Sequence, residues 1–433
     1  MHKIERLLQT LAPKGVEFRK LGEVCESTNK KTLKISEVSE VKNKGMYPVI
    51  NSGRDLYGYY HDFNNDGENI TIASRGEYAG FINYFNEKFF AGGLCYPYKV
   101  KDTNELLTKF LYFYLKTNEI QIMENLVFRG SIPALNKADI ENLTIPIPPL
   151  EIQQEIVKIL DAFTELNTEL NTELKARKKQ YQYYQNMLLD FNDINQNHKD
   201  AKMSVKTYPK RLKTLLQTLA PKGVEFRKLG DIGEYIRGVT YKKNQEINNL
   251  ECGIKVLRAN NITLSNHLNF EDIKVINKNV KIRKEQYLKK NDILICAGSG
   301  SSEHIGKVAF INTDFDYVFG GFMGVIRIRE VNSRFVYHIF TSNIFKQYLE
   351  KSLNTTTINN LNANILQNFL IPIPPLEIQQ EIVKILDQFS ILTTDLLAGI
   401  PAEIKARKKQ YEYYREKLLT FKPLTPNKEV KKC

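Results

Sequence analysis

The sequence predicts an α+β protein: two α/β domains separated by two long helices that pair as an antiparallel coiled coil, with a pseudo-two-fold internal repeat. Three observations predict it. Long segments recur letter for letter. The blocks between them diverge. Apolar residues after each block keep a heptad spacing.

The repeat comes first because it sets the architecture. LLQTLAPKGVEFRKLG stands at 7–22 and again at 215–230. IPIPPLEIQQEIVKILD stands at 145–161 and 371–387, and KARKKQY at 175–181 and 405–411. These pieces frame one block at 23–144 and another at 231–370 that share no evident sequence. A constant frame around divergent inserts reads as one scaffold carrying two different modules. The boundaries expected are a first variable domain (1–150), a spacer helix (151–192), a linker (193–214), a second variable domain (215–375), a second spacer helix (376–421) and a basic tail (422–433).

The helices follow from spacing. Pro148 and Pro149, like Pro374 and Pro375, end an extended segment, and LEIQQEIVKIL then has helical apolar periodicity. Leu160, Phe163, Leu170, Leu174, Tyr181, Tyr184, Leu188 and Phe191 occupy a and d positions of one heptad register, broken by Asn167 and Arg177. Leu397, Ile400, Ile404, Tyr411, Tyr414, Leu418 and Phe421 hold the same register in the second copy, broken by Arg407. Sustained a/d spacing marks a coiled-coil seam; the alternative is two amphipathic helices packed separately on their own domains. TELNTELNTEL (164–174) is a tetrapeptide repeat suited to act as a ruler. SILTTDLLAGIPAEI (390–404) replaces it in the second copy, four residues longer, and Gly399 with Pro401 predicts a kink or a helix restart there.

Within the blocks, ENITIAS (68–74), GFINYF (80–85) and YPYKV (96–100) read as strands and NELLTKFLYFYL (104–115) as a helix. IKVLR (254–258), DILICA (292–297), GKVAFI (306–311) and GVIRIR (324–329) read as strands, and SRFVYHIFTSNIFKQYL (333–349) as the corresponding helix. Neither block carries recognisable catalytic chemistry. GSGSSEHIGKV (298–308) resembles a phosphate loop only in Gly306-Lys307, since Val308 stands where a hydroxyl residue is needed. The methyl-transfer, dinucleotide and nucleophile-elbow motifs are missing. Five scattered cysteines form no CxxC pair and six histidines no ligand cluster, which argues against structural zinc and fits a reducing cytoplasm. No apolar run is long enough for a membrane span, and MHKIERLLQT lacks a secretory apolar core.

Charge points to a partner. Lys plus Arg number 62 against 49 acidic residues, a net charge of +13 in 433 residues, which favours a polyanion such as double-stranded DNA. Candidate DNA contacts in the first block are Arg54, Arg75, Tyr78 and Arg129. In the second they are Arg237, Tyr241, Lys242, Lys243, Arg258, Asn260, Asn261, Ser301, His304 and Lys307. Arg and Lys can bond guanine and Asn can bond adenine, although most basic residues at such surfaces hold phosphates.

The duplicated IPIPPLEIQQEIVKIL, the KARKKQYEYYREKLLTF ending, the VLRANNI segment (256–262) and the TELN repeats resemble the specificity subunit of type I restriction–modification systems, over the full chain. That resemblance implies that each variable block reads one half of a bipartite DNA target and that the helices dock two methyltransferase subunits. It implies S-adenosylmethionine on those subunits, ATP and Mg on further restriction subunits, no catalytic residue or cofactor on this chain, and a cytoplasmic location. Two rival readings are an enzyme acting alone on DNA, and a coiled-coil interaction protein with non-specific DNA binding.

Overall fold

A computed structural model describes residues 2–191, 208–247, 252–298, 304–353, 361–394 and 399–424. The chain divides into two compact units, Met1–Leu170 with Ile404–Cys433, and Asn171–Glu403.

Unit 1 opens with α1 (His2–Leu11) and β1 (Glu17–Lys20). Next come β2 (Cys25–Ser27), β3 (Tyr47–Ile50), β4 (Gly58–Tyr60), β5 (Glu68–Ala73), β6 (Ile82–Asn86), β7 (Phe90–Ala91) and β8 (Cys95–Val100). After helix α2 (Thr108–Thr117) the hairpin β9 (Val127–Phe128) and β10 (Ala134–Leu135) leads to β11 (Thr144–Ile147), and α3 (Leu150–Leu189) begins. Four strands form one sheet in the order β2-β8-β5-β6, and three form a second, β4-β3-β7, in which β3 and β7 run parallel.

Unit 2 repeats this plan. Helix α4 (Lys210–Leu219) and β12 (Glu225–Lys228) precede β13 (Gly233–Arg237), β14 (Glu246–Ile247), β15 (Ile254–Leu257) and β16 (Lys274–Ile276). There follow β17 (Ile293–Cys296), β18 (Val308–Phe310), β19 (Tyr317–Phe319), β20 (Met323–Ile328), helices α5 (Ser333–Phe340) and α6 (Asn343–Leu353), β21 (Leu370–Ile373), α7 (Leu376–Thr394) and α8 (Ile400–Leu418). The sheet order β13-β20-β17-β18 matches β2-β8-β5-β6, and the parallel pair β15/β19 matches β3/β7. Two blocks that share no evident sequence therefore share a topology.

The frame encloses each block by main-chain pairing. Strand β1 pairs antiparallel with β11, placing Phe18 opposite Pro146, and β12 pairs with β21, placing Phe226 opposite Pro372. Each variable block leaves and returns at adjacent strands, so it is an insertion closed by a two-stranded clasp. The frame also repeats its polar anchors. Gln153 donates Nε2 to Pro148 O and Glu105 O while its Oε1 accepts from Leu107 N. Gln379 donates to Pro374 O and accepts from Asn332 N. Both glutamines are buried, so each fastens the strand-to-helix turn to the helix of its own block. Lys3 pairs with Glu155 at 2.5 Å, and Arg211 with Glu381 at 3.1 Å, in the same places of the two copies.

Each unit's core takes helix from both copies of the frame. Ile152, Ile156 and Leu160 of α3 join the unit 1 core, and so do Leu418 and Leu419 beside α2. In unit 2, Ile378, Ile382 and Leu386 of α7 meet Met187, Leu188 and Leu189 from the end of α3. The seam residues face these contacts. Phe163 lies 5.6 Å from Tyr414 and 6.2 Å from Tyr411 between ring centroids, whereas Tyr184 stacks on Phe389 at 5.1 Å. Partner numbering falls as α3 advances, which is antiparallel order. Leu160, Leu188, Ile404 and Leu418 are buried, Tyr181 packs on the unit 2 core, and Leu170 and Leu174 are half-buried. Leu397 lies outside the described residues.

Two sequence expectations need correction. The helix expected at 104–115 begins at Thr108, because Leu107 N is bound by Gln153 and Asn104 N by its neighbour Asp102. The helix expected at 333–349 is two helices: the Ser342 hydroxyl donates to Ile339 O and accepts from Ile344 N, ending one helix and starting the next. The second spacer is two helices, with the restart at the expected Gly399. Gly399 adopts φ +83°, and a Cβ there would lie 2.5 Å from Ile391 O, so the turn that restarts the helix at Ile400 has room for glycine alone.

Candidate nucleic-acid interface

In unit 1, four loops are hydrogen-bonded into one surface at the ends of the two sheets. Asn51 Oδ1 accepts from Leu94 N at 2.9 Å, and Leu94 O accepts from Ser74 N at 2.9 Å. Gly76 N donates to Pro133 O at 2.8 Å, Arg75 bridges to Ala134, and Leu135 N donates to Ser74 O. The turn of Arg54, the loop of Arg75 and Tyr78, and the hairpin tip of Arg129 are thereby joined through one chain of hydrogen bonds. All four side chains are exposed; Arg54 has Asp55 at 3.7 Å, an exposed pair.

The same construction recurs in unit 2. Gly320 N donates to Leu257 O as Gly92 N does to Ile50 O, and Ala297 N donates to Phe322 O as Ser74 N does to Leu94 O. Leu361 N donates to Ala297 O as Leu135 N does to Ser74 O. On this surface Arg237 (at the end of β13), Lys242, Lys243 and Asn260 are exposed. Arg258 is half-buried and its Nη2 bonds Asp272 at 2.6 Å. Tyr241 is half-buried against Val239, Val256 and Val280, and burial, reinforced by Glu246, pushes its hydroxyl pKa up. His304 is half-buried, and Ser301 lies outside the described residues.

Asn261 and Lys307, expected to touch DNA, instead turn inward. Asn261 Nδ2 donates to Asn269 O and Asp272 O while Oδ1 accepts from Arg258 N. The Lys307 amino group donates to Ala259 O and Ile262 O, and burial lowers its pKa. Both brace the 258–263 loop, since buried donors and acceptors must be satisfied. With its ammonium spent on two carbonyls, Lys307 is also in no position to cradle a phosphate.

Sequence reasoning missed the double-glycine turns at Gly92-Gly93 and Gly320-Gly321. It also passed over Lys30, whose amino group donates to Gly93 O, and Phe128, exposed at the hairpin tip. Among the described residues no group of His, Cys, Asp or Glu is placed to hold a metal ion. Cys25 and Cys95 are buried thiols whose pKa burial pushes up to about 12, which makes them inert. No described helix is long and apolar enough to cross a membrane.

Two like-folded modules, each presenting basic loops from a shared helical frame, define a DNA-recognition subunit. The chain matches the type I restriction modification DNA specificity domain over residues 13–180 and 221–406. It is 32% identical to a putative type I restriction enzyme specificity subunit of Haemophilus influenzae, over 96% of this chain and 98% of that one. It is 27% identical to the EcoR124I/EcoR124II specificity subunit of Escherichia coli, over 98% of each. The fold is similar to the crystal structure of the S subunit from M. genitalium, with TM-score 0.58 and 17% identity over 95% of this chain and 97% of that one. The chain belongs to the type I restriction–modification specificity family. It is the non-catalytic, DNA-recognising component of such a complex.

Proposed function

We propose that unit 1 and unit 2 each read one half of a bipartite DNA sequence, with an unread spacer between the halves. One observation carries this reading. The same hydrogen-bonded loop surface occurs in both units on the same topology, while the exposed side chains on it differ. A constant frame with variable tips is what two independent readers require. The proposed reading set is Arg54, Arg75, Tyr78 and Arg129 in unit 1, and Arg237, Lys242, Lys243 and Asn260 in unit 2. Arg258 and Tyr241 border the second set. Such cations contribute sequence-independent phosphate affinity and, where they reach a groove, base discrimination.

The repeated helices serve two methyltransferase subunits, whose S-adenosylmethionine supplies the methyl group; restriction subunits bring ATP and Mg. The assembly is cytoplasmic. This chain's own task is to orient the duplex. The test is a binding titration of the chain, alone and with a type I methyltransferase subunit, against random and methylated-target duplexes at several salt concentrations. The reading expects a complex of one chain with two methyltransferase subunits, with target preference persisting at physiological salt. Equal affinity for every duplex, falling with salt alone, would instead favour the non-specific coiled-coil reading.

A further inference from the structure

The double-glycine turns carry an inference that rests on the proposed reading and deepens it. Each links a strand of the parallel pair in one sheet to the second strand of the other sheet: β7 to β8 in unit 1, β19 to β20 in unit 2. The two turns are built alike. Cys95 N donates to Gly92 O, and Met323 N to Gly320 O. A Cβ on Gly93 would lie 2.7 Å from Thr32 Oγ1, and one on Gly321 would lie 3.1 Å from Thr240 Oγ1. A Cβ on Gly92 would lie 2.5 Å from Asn51 Oδ1. In unit 1 both glycines, and in unit 2 Gly321, leave the room in which neighbouring loops close on the turn; a Cβ on Gly320 would meet ordinary contacts, the nearest Leu257 O at 3.7 Å.

What this rigid turn displays is apolar both times. Leu94 is 40% exposed and Phe322 is 75% exposed. Hydrogen bonds fix these residues: Leu94 N donates to the Asn51 side chain and Leu94 O accepts from Ser74 N, while Phe322 O accepts from Ala297 N and Gly298 N. A single exposed leucine needs no explanation. An apolar residue held outward at the same position of two diverged blocks, between basic loops, does. Lys30 bonds the unit 1 turn, and Arg75 follows the strand end tied to it. In unit 2 the Arg258 stem lies 3.8 Å from where a Gly320 Cβ would stand.

We propose that Leu94 and Phe322 are base-contacting, specificity-determining residues, each pressed against the bases of its own half-site. Cations beside the turn hold phosphates, and the apolar tip meets what a groove offers an apolar group: a thymine methyl or the face of a parted base step. Because the turn is pre-ordered, little conformational entropy is lost on contact.

The experiment measures binding of the full chain with its methyltransferase subunits to duplexes bearing single base-pair changes across both halves. The variants are Leu94→Ala and Phe322→Ala, with Leu94→Met and Phe322→Leu as apolar controls. Leu94→Ala is expected to weaken target binding about five- to tenfold and to flatten discrimination in one half-site only. Phe322→Ala should do so in the other half, and the controls should keep most of the preference. Unchanged discrimination in both alanine variants, while the unaltered chain discriminates in both halves, overturns this inference alone. An unaltered chain with no half-site discrimination overturns the two-reader model and this inference with it. Loss of all binding in the alanine variants and the apolar controls alike also overturns it, since the turn would then be structural.

Discussion

Asp387 Oδ1 accepts hydrogen bonds from His338 Nε2 and from Arg334 Nε, each at 2.8 Å, and this one carboxylate ties α7 to α5. Its counterpart in the first copy, Asp161, meets a single cation, Lys109, at 2.8 Å. Asp387→Ala leaves a buried imidazole and a half-buried guanidinium without their acceptor. It is expected to cost unit 2 about 2–3 kcal/mol. Asp161→Ala breaks one partly exposed ion pair and should cost unit 1 below about 1 kcal/mol. Denaturant melts of both variants check the contrast; equal losses would show that the two anchors are equivalent.

The same anchor makes unit 2 acid-sensitive. Burial holds the His338 pKa below its ordinary 6.5, and the Asp387 hydrogen bond opposes this only partly. A proton on buried Nδ1, which has no partner, would go unsatisfied. The unfolded chain therefore binds that proton first, so the histidine's contribution is full above about pH 6.5 and declines as pH falls below it. Burial alone would raise Asp387. The His338 bond and the charge of Arg334 outweigh it, holding its pKa below 3.8, so a second loss begins below that pH. His338 stands where unit 1 has Phe113, also buried. His338→Phe is expected to abolish the decline that sets in below about pH 6.5 in melts followed against pH, and an unaltered decline would place its origin elsewhere.

The clasps predict modular exchange. Because β1 with β11 closes residues 23–144 by main-chain pairing, and Gln153 anchors the block through main-chain atoms, another recognition block inserted there should fold on the same frame. Methylated sites mapped after the exchange should change in one half and keep the other. A change in both halves would contradict independent readers.

The frame was legible in the sequence and the surface was not. Identical segments and a/d spacing gave the helices, their antiparallel partner order and the break at Gly399, because these depend on local periodicity and backbone freedom. The clasp escaped notice, since EFRK and TIPI are too short to signal pairing partners so far apart in the chain. Apart from IKVLR, the strands of the second sheets were missed for the same reason: Phe90–Ala91 is a strand only because Ile50 and Ala91 are neighbours in space. Among site residues, Arg54, Arg75 and Arg129 are brought together by contacts between loops that the sequence lists separately. Asn261 and Lys307 looked like readers because polarity shows in a sequence and burial does not.

The TELN segment lies inside α3, which runs as one helix from Leu150 to Leu189. One added TELN unit lengthens that helix by about 6 Å, at 1.5 Å per residue, and should lengthen the unread spacer by about one or two base pairs. Sites methylated by the extended chain report the change, and an unaltered spacer would exclude the ruler.

The most direct test of the whole account is a map of methylated adenines in cells that express this chain with its methyltransferase subunits and, in parallel, without it. Two readers on one frame predict a single motif of two short specified halves around a spacer of fixed length and free sequence, absent when the chain is withheld. A continuous motif, or the same methylation with and without the chain, would contradict it.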